Sequence, residues 1–97
     1  MPKVNKSARG KHRWIGFQLD AEDYSRHRCE VFFSKIFTNI SWRLFDFKNI
    51  DGVYNGILKV PLESYIDAKV IINNQDETTT ITSSGKIKLV RERMNLK

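Results

Sequence analysis

The sequence predicts an α+β sandwich, a four-stranded antiparallel sheet with two helices on one face and a basic helix added at the C-terminal side. Three observations carry this. The residue periodicity runs strand, helix, strand, strand, helix, strand. An Asp51-Gly52 pair sits between the second and third strand segments, where it would close a hairpin. The longest amphipathic stretch, containing Cys29, Phe32, Phe33, Ile36, Phe37 and Ile40, repeats at helical spacing and needs a sheet to pack against.

In chain order, Arg13 to Leu19 predicts the first strand, with Trp14, Phe17 and Leu19 as its large apolar residues. Asp20 is the expected N-cap of the first helix, with Glu22 and Asp23 in its first turn, where the macrodipole favours acids. Arg26, Glu30 and Lys35 form the helix's solvated face. Ser41 to Lys48 predicts the second strand, with Trp42, Leu44 and Asp46 on one side and Arg43, Phe45 and Phe47 on the other. Tyr54 to Val60 is the third strand. Pro61 suits the first turn of a second helix, in which Leu62, Tyr65, Ile66 and Val70 line one face and which ends near Ile72. Thr78 to Thr82 is the fourth strand, broken by Ser83, Ser84 and Gly85, and Ile87, Val90, Arg91 and Met94 mark the last helix.

This order is the split βαβ arrangement of ferredoxin-like and RRM-like domains. At 97 residues a single domain is expected, with residues 1-12 as a basic flexible arm and residues 13-97 as the α-β sandwich. Cys29 is the only cysteine, so no internal disulfide forms and a reducing compartment is the simpler reading. No apolar run is long enough to span a bilayer, and the basic start is not followed by the apolar stretch of a signal peptide. A cytoplasmic protein with no membrane partner is expected.

Charge is sorted by position. Residues 1-13 carry five cations and no acid, and residues 84-97 carry five cations against Glu92, while residues 14-83 hold seven cations against ten acids. The total of +6 is therefore +5, −3 and +4. Such ends suit a polyanion, because cations placed near phosphates release condensed counterions. The reading puts them at opposite extremities of the body. Arg9, Lys11 and Arg13 would meet phosphates from the arm, and Lys86, Lys88, Arg91 and Arg93 from the last helix. Ser84 and Gly85 offer hydroxyl and backbone N–H groups at that helix's positive end.

A standard RRM stacks bases on sheet aromatics and carries a Gly- and aromatic-rich third strand. Here that strand is Val53-Tyr54-Asn55-Gly56-Ile57-Leu58-Lys59-Val60, which lacks the signature. The aromatics of the second strand are therefore expected in the core or against a protein, with Phe45 and Phe47 as the partner contacts. No catalytic residue is assigned. His12 in the arm, with His27 and Cys29 on the first helix, supplies too few ligands for a closed metal site. Asp20, Glu22 and Asp23 serve a helix start better than acid and base chemistry. No P-loop, nucleophile elbow or dinucleotide-binding glycine pattern occurs.

Three segments carry a family resemblance. Ser84-Gly85-Lys86-Ile87-Lys88, followed by Arg91 and Arg93, resembles the strand-to-helix turn of archaeal ribonuclease P protein component 2, the family shared with the eukaryotic Pop-type subunit. Lys11-His12-Arg13-Trp14-Ile15-Gly16-Phe17 is similar to that family's first strand, with Trp14 in place of the usual Tyr. Asn55-Gly56-Ile57-Leu58-Lys59-Val60 is similar to the strand preceding its second helix. The segments stand in the family's order and span roughly Lys11 to Met94. The chain departs from the family in a shorter region after the first helix and a threonine run in the fourth strand.

The resemblance implies a noncatalytic subunit of the ribonucleoprotein that removes 5′ leaders from precursor tRNA. The RNA would perform the cleavage with Mg2+, and no cofactor would be bound by the protein. Implied partners are the ribonuclease P RNA, precursor tRNA within the holoenzyme, and a TIM-barrel-like protein subunit, component 3, with self-association in a two-plus-two heterotetramer. Two other classes fit the residues: a ferredoxin-like ligand-sensing module that dimerises through its sheet, and a ribosomal-type structural-RNA-binding protein.

Overall fold

A computed structural model describes residues 11–96. Four strands, β1 (His12–Leu19), β2 (Arg43–Ile50), β3 (Val53–Pro61) and β4 (Thr78–Ser84), form one sheet in the order β2-β3-β1-β4, every neighbouring pair antiparallel. Three α-helices complete the α+β sandwich: α1 (Arg26–Ile36), α2 (Tyr65–Asn73) and α3 (Ile87–Met94). The predicted ferredoxin-like arrangement is observed.

The sheet buries two cores of unequal size. On one face, Cys29, Phe33 and Phe37 from the α1 segment and Ala68 and Ile72 from α2 cover Ile15, Phe17, Leu19, Leu44, Leu58 and Val60. Fully burying each large side chain of this set stabilises the fold by roughly 1.5–3 kcal/mol. On the other face, Val90, Met94 and Leu96 of the α3 segment pack on Ile57, with Trp14, Ile50 and Ile87 at the margin. Helix α3 therefore lies over part of the surface that an RRM leaves open for bases.

Local chemistry sets the boundaries. Helix α1 starts at Ser25, whose hydroxyl accepts from the Arg28 N–H at 3.1 Å. Asp20 is not the cap: its backbone N–H pairs with the Glu77 carbonyl at 2.8 Å and extends the β1–β4 pairing. Asp51 and Gly52 have φ of 53° and 87°, as a two-residue hairpin turn of the primed type requires. Leu62–Ser64 is a 3-10 turn ahead of α2. The predicted apolar face of α2 is partly overturned. Ala68 and Ile72 face the core, while Ile66 and Val70 are 63% and 53% exposed, because the helix rests on its small residue.

A β-bulge alters the face of β2. With a two-residue turn, Ile50 faces Val53 and an unbroken ladder would put Arg43 opposite Val60. The register instead slips by one between Leu44 and Asp46, and Arg43 faces Lys59. Phe45 and Asp46 consequently share the α3 side. Phe45 meets Trp14 edge-on at 4.7 Å, while Phe47 stacks on Tyr54 at 5.0 Å under the larger core. The two phenylalanines expected together occupy opposite faces. Both edge strands are blunted by side chains. Arg26 donates to the carbonyls of Leu44 and Phe45 on β2, and Asn73 and Arg93 bond the β4 backbone at Thr80 and Ser83.

Candidate nucleic-acid interface

Antiparallel pairing of β1 with β4 decides where the charges go. Trp14 faces Ser84 and Gly85 stands against Arg13, so the Lys11–Arg13 segment and the Ser84-Gly85 turn lie side by side at one end of the sheet, whereas Lys88, farther along α3, stands near Phe45, Lys48 and Arg91. Among the described residues, Lys11–Arg13 and the start of the second basic segment therefore share one end of the sheet instead of standing at opposite extremities. The same end receives the start of β2 and the end of β3, which bring Arg43 and Lys59. One row across the sheet reads Arg43, Lys59, Trp14, Ser84. At the opposite end, Asp20, Glu22, Asp23, Asp51, Asp76 and Glu77 fill the three connecting segments. Charge is thus sorted along the strand direction, and a polyanion would be drawn to one end.

Aromatics lie between these cations. The Lys59 ammonium lies 5.5 Å from the Trp14 ring centre, and the Arg43 guanidinium 5.5 Å from that of Phe45. His12, expected in the arm, is the first residue of β1, and its ring approaches Trp14 edge-on at 6.3 Å. On the opposite face the Arg13 guanidinium covers Tyr65 at 5.6 Å, and a Cβ built on Gly85 would come within 3.5 Å of it. Arg13 Nε is buried without a hydrogen-bond partner among the described residues. Lys11, His12, Arg13, Trp14, Leu62 and Gly85 line a crevice of about 390 Å³ there. The Tyr65 hydroxyl shares a 2.6 Å hydrogen bond with Ser83, which, with the nearby Lys69 and Arg13 charges, holds the phenol below its ordinary range against a smaller opposing effect of burial.

The predicted cations separate into two groups. Lys11, Lys86 and Lys88 are exposed. Arg91 instead forks onto Asp46, with Nε–Oδ2 at 2.7 Å and Nη2–Oδ1 at 3.1 Å, and the carboxylate raises the guanidinium pKa through hydrogen bonding and charge. Arg93 donates to Thr82 Oγ1 and the Ser83 carbonyl at 3.1 and 3.0 Å. Both arginines hold α3 to the sheet. Ser84 Oγ is also engaged, accepting from the Lys86 N–H at 3.1 Å. Arg9 lies outside the described residues.

Sequence reasoning passed over Arg43 and Lys59 as binding residues and Trp14 as their neighbour. The hairpin turn carries a signal for the first two, because it sets β2 against β3, but the one-residue bulge that aligns them has no marker in the sequence. Phe45 and Phe47 are each half-buried, whereas among the described residues the most exposed large apolar side chains are Ile66 and Val70 of α2, one turn apart and in line with Leu62.

Burial pushes the Cys29 thiol up to about 12, with Glu30 adding to the rise and Arg26 opposing it, so the group stays an inert thiol at neutral pH. Among the described residues, no group of three or more His, Cys, Asp or Glu could hold a metal ion, and no helix is long and apolar enough to cross a membrane. No family model, curated protein or solved structure matches the chain.

Proposed function

We propose that this chain is a noncatalytic RNA-binding subunit of ribonuclease P, a cytoplasmic protein of the archaeal component 2 type that supports the RNA removing 5′ leaders from precursor tRNA. One observation carries the reading: the β1–β4 register brings Lys11–Arg13 beside the Ser84-Gly85 turn that opens the second basic segment, at the end of the sheet that also holds Arg43 and Lys59. Two of the segments bearing the family resemblance lie largely on the adjacent strands β3 and β1, and the third begins at the end of the neighbouring β4 and continues into α3. A surface of this kind would neutralise closely packed phosphates of a folded RNA and leave cleavage to RNA-bound Mg2+.

Leu62, Ile66 and Val70 are the face assigned to the TIM-barrel-like protein subunit. Asp67 lies among these residues, suiting a partner segment with a basic group beside an apolar centre. The heterotetramer would add self-association. A module dimerising through its sheet is the weaker reading, since α3 occupies part of that face.

The test is reconstituted cleavage of precursor tRNA by the catalytic RNA, the partner subunit and Mg2+, with and without this chain. The expected result is faster cleavage, or cleavage at lower Mg2+, when the chain is present. Hydrolysis by the chain alone, or no effect of adding it, contradicts the reading. A ribosomal-type protein would bind RNA without this stimulation.

A further inference from the structure

A cleft of about 720 Å³ opens at the basic end of the sheet, between the starts of β1 and β2 and the end of β3. Its size falls within the range of small-ligand sites, roughly 300–1,000 Å³. Trp42 forms part of its wall. That indole is half-buried and is fixed from within by Phe33 and Phe37, at 5.9 and 6.4 Å between ring centres. A ring held in this way loses little freedom when a second flat group meets its open side. Around it stand Lys11, His12, Arg43 and Lys59, with Glu63 as the one carboxylate.

Cations, a fixed aromatic wall and one strong acceptor suit a ligand with a flat ring, a phosphate and a donor group. We propose that the cleft binds one unstacked nucleotide, its base against Trp42 and its phosphate among Lys11, Arg43 and Lys59. Glu63 accepts from a ribose hydroxyl or an exocyclic amine. This deepens the RNA-binding reading and rests on it, because a base displaced from a folded RNA is one source of such a ligand. A free nucleoside monophosphate is the other.

A Trp14→Phe protein leaves Trp42 as the only tryptophan, so its emission reports on the cleft. This protein is titrated with a single-stranded oligoribonucleotide, a blunt RNA duplex and a nucleoside monophosphate, while RNA binding is followed separately by anisotropy of labelled RNA. Saturable quenching by the single strand and not by the duplex is expected, weakened about tenfold by Arg43→Ala, an exposed change that leaves the core intact. Quenching by the monophosphate at equal concentrations assigns the site to free nucleotides; quenching by the strand alone assigns it to RNA. If the anisotropy rises while Trp42 emission stays constant, the cleft proposal fails and the RNA-binding reading stands. If neither signal changes with any RNA or nucleotide, both fail.

Discussion

Arg91 and Asp46 are joined by a two-bonded fork, 2.7 and 3.1 Å, across 45 residues of sequence, and this pair fastens α3 to the bulged edge strand β2. Asp46 faces α3 because it pairs with Ile57 in the register set by the hairpin turn, and the bulge brings Phe45 to the same side. The fork therefore ties the hairpin register of β2 to the seating of the last helix.

From this pairing, Arg91→Ala and Asp46→Ala should each lower the thermal midpoint. The double variant should fall no further than the worse single variant, since each change removes the same contact. A thermal-denaturation cycle measures this. For RNA, Arg91→Ala should reduce affinity less than Lys86→Ala or Lys88→Ala, because its charge is already matched by a carboxylate.

Close approach at two glycines gives a second test. A Cβ on Gly56 would lie 2.5 Å from Phe17 Cζ and 2.9 Å from the Asp46 carbonyl oxygen, a buried ring and a backbone atom that cannot easily yield. On Gly16 it would lie 2.1 Å from Met94 Sδ, on a flexible side chain. Gly56→Ala should destabilise by at least the ~1–3 kcal/mol typical of overpacking. Gly16→Ala should cost less and be partly rescued by Met94→Ala. Denaturant midpoints rank the variants.

The first core binds the protein's stability to alkaline pH. Cys29 is pushed up to about 12 from 9.0. A group whose folded pKa is raised contributes stability that is complete below its unfolded pKa and is lost as pH rises through the folded value. The window therefore runs from about 9 to about 12. Tyr65, with its phenol lowered chiefly by the Ser83 hydrogen bond, acts in the opposite sense near pH 10. Comparing the wild type with Cys29→Ala cancels that second effect. The wild type's advantage should shrink as pH rises above 9, and the native thiol should resist alkylation at pH 7 until the chain unfolds.

Local periodicity carried most of the fold. The Asp51-Gly52 turn, the order of strands and helices, and the helical spacing around Cys29, Phe33 and Phe37 all depend on residues near one another in sequence. Three features depended on distant contacts. Ser25 rather than Asp20 caps α1, because Asp20 is drawn into pairing with Glu77. The outward Ile66 and Val70 follow from α2 resting on Ala68. The bulge at Phe45 exchanges faces without altering composition.

The candidate site was legible as charge and not as place. Lys11, Arg13, Lys86 and Lys88 were found by sign alone, but the approach of Lys11 and Arg13 to the turn that precedes Lys86 requires β4 to lie antiparallel beside β1. Arg91 and Arg93 look like their neighbours in sequence, and only the fold reveals Asp46, Thr82 and Ser83 as their partners.

The central claim is that the basic end of the sheet, and not the charge of the chain as a whole, binds RNA. The direct measurement is affinity for a structured RNA as a function of salt, for the wild type and for a variant with Lys11, Arg43, Lys59 and Lys86 all changed to Ala. A variant with Asp20, Asp51, Asp76 and Glu77 changed to their amides serves as the comparison. Each lost phosphate contact should reduce the slope of log K against log salt by about 0.7–0.9, so the first variant should lose roughly three units of slope and the second almost none. An unchanged slope and affinity in the first variant would contradict the account.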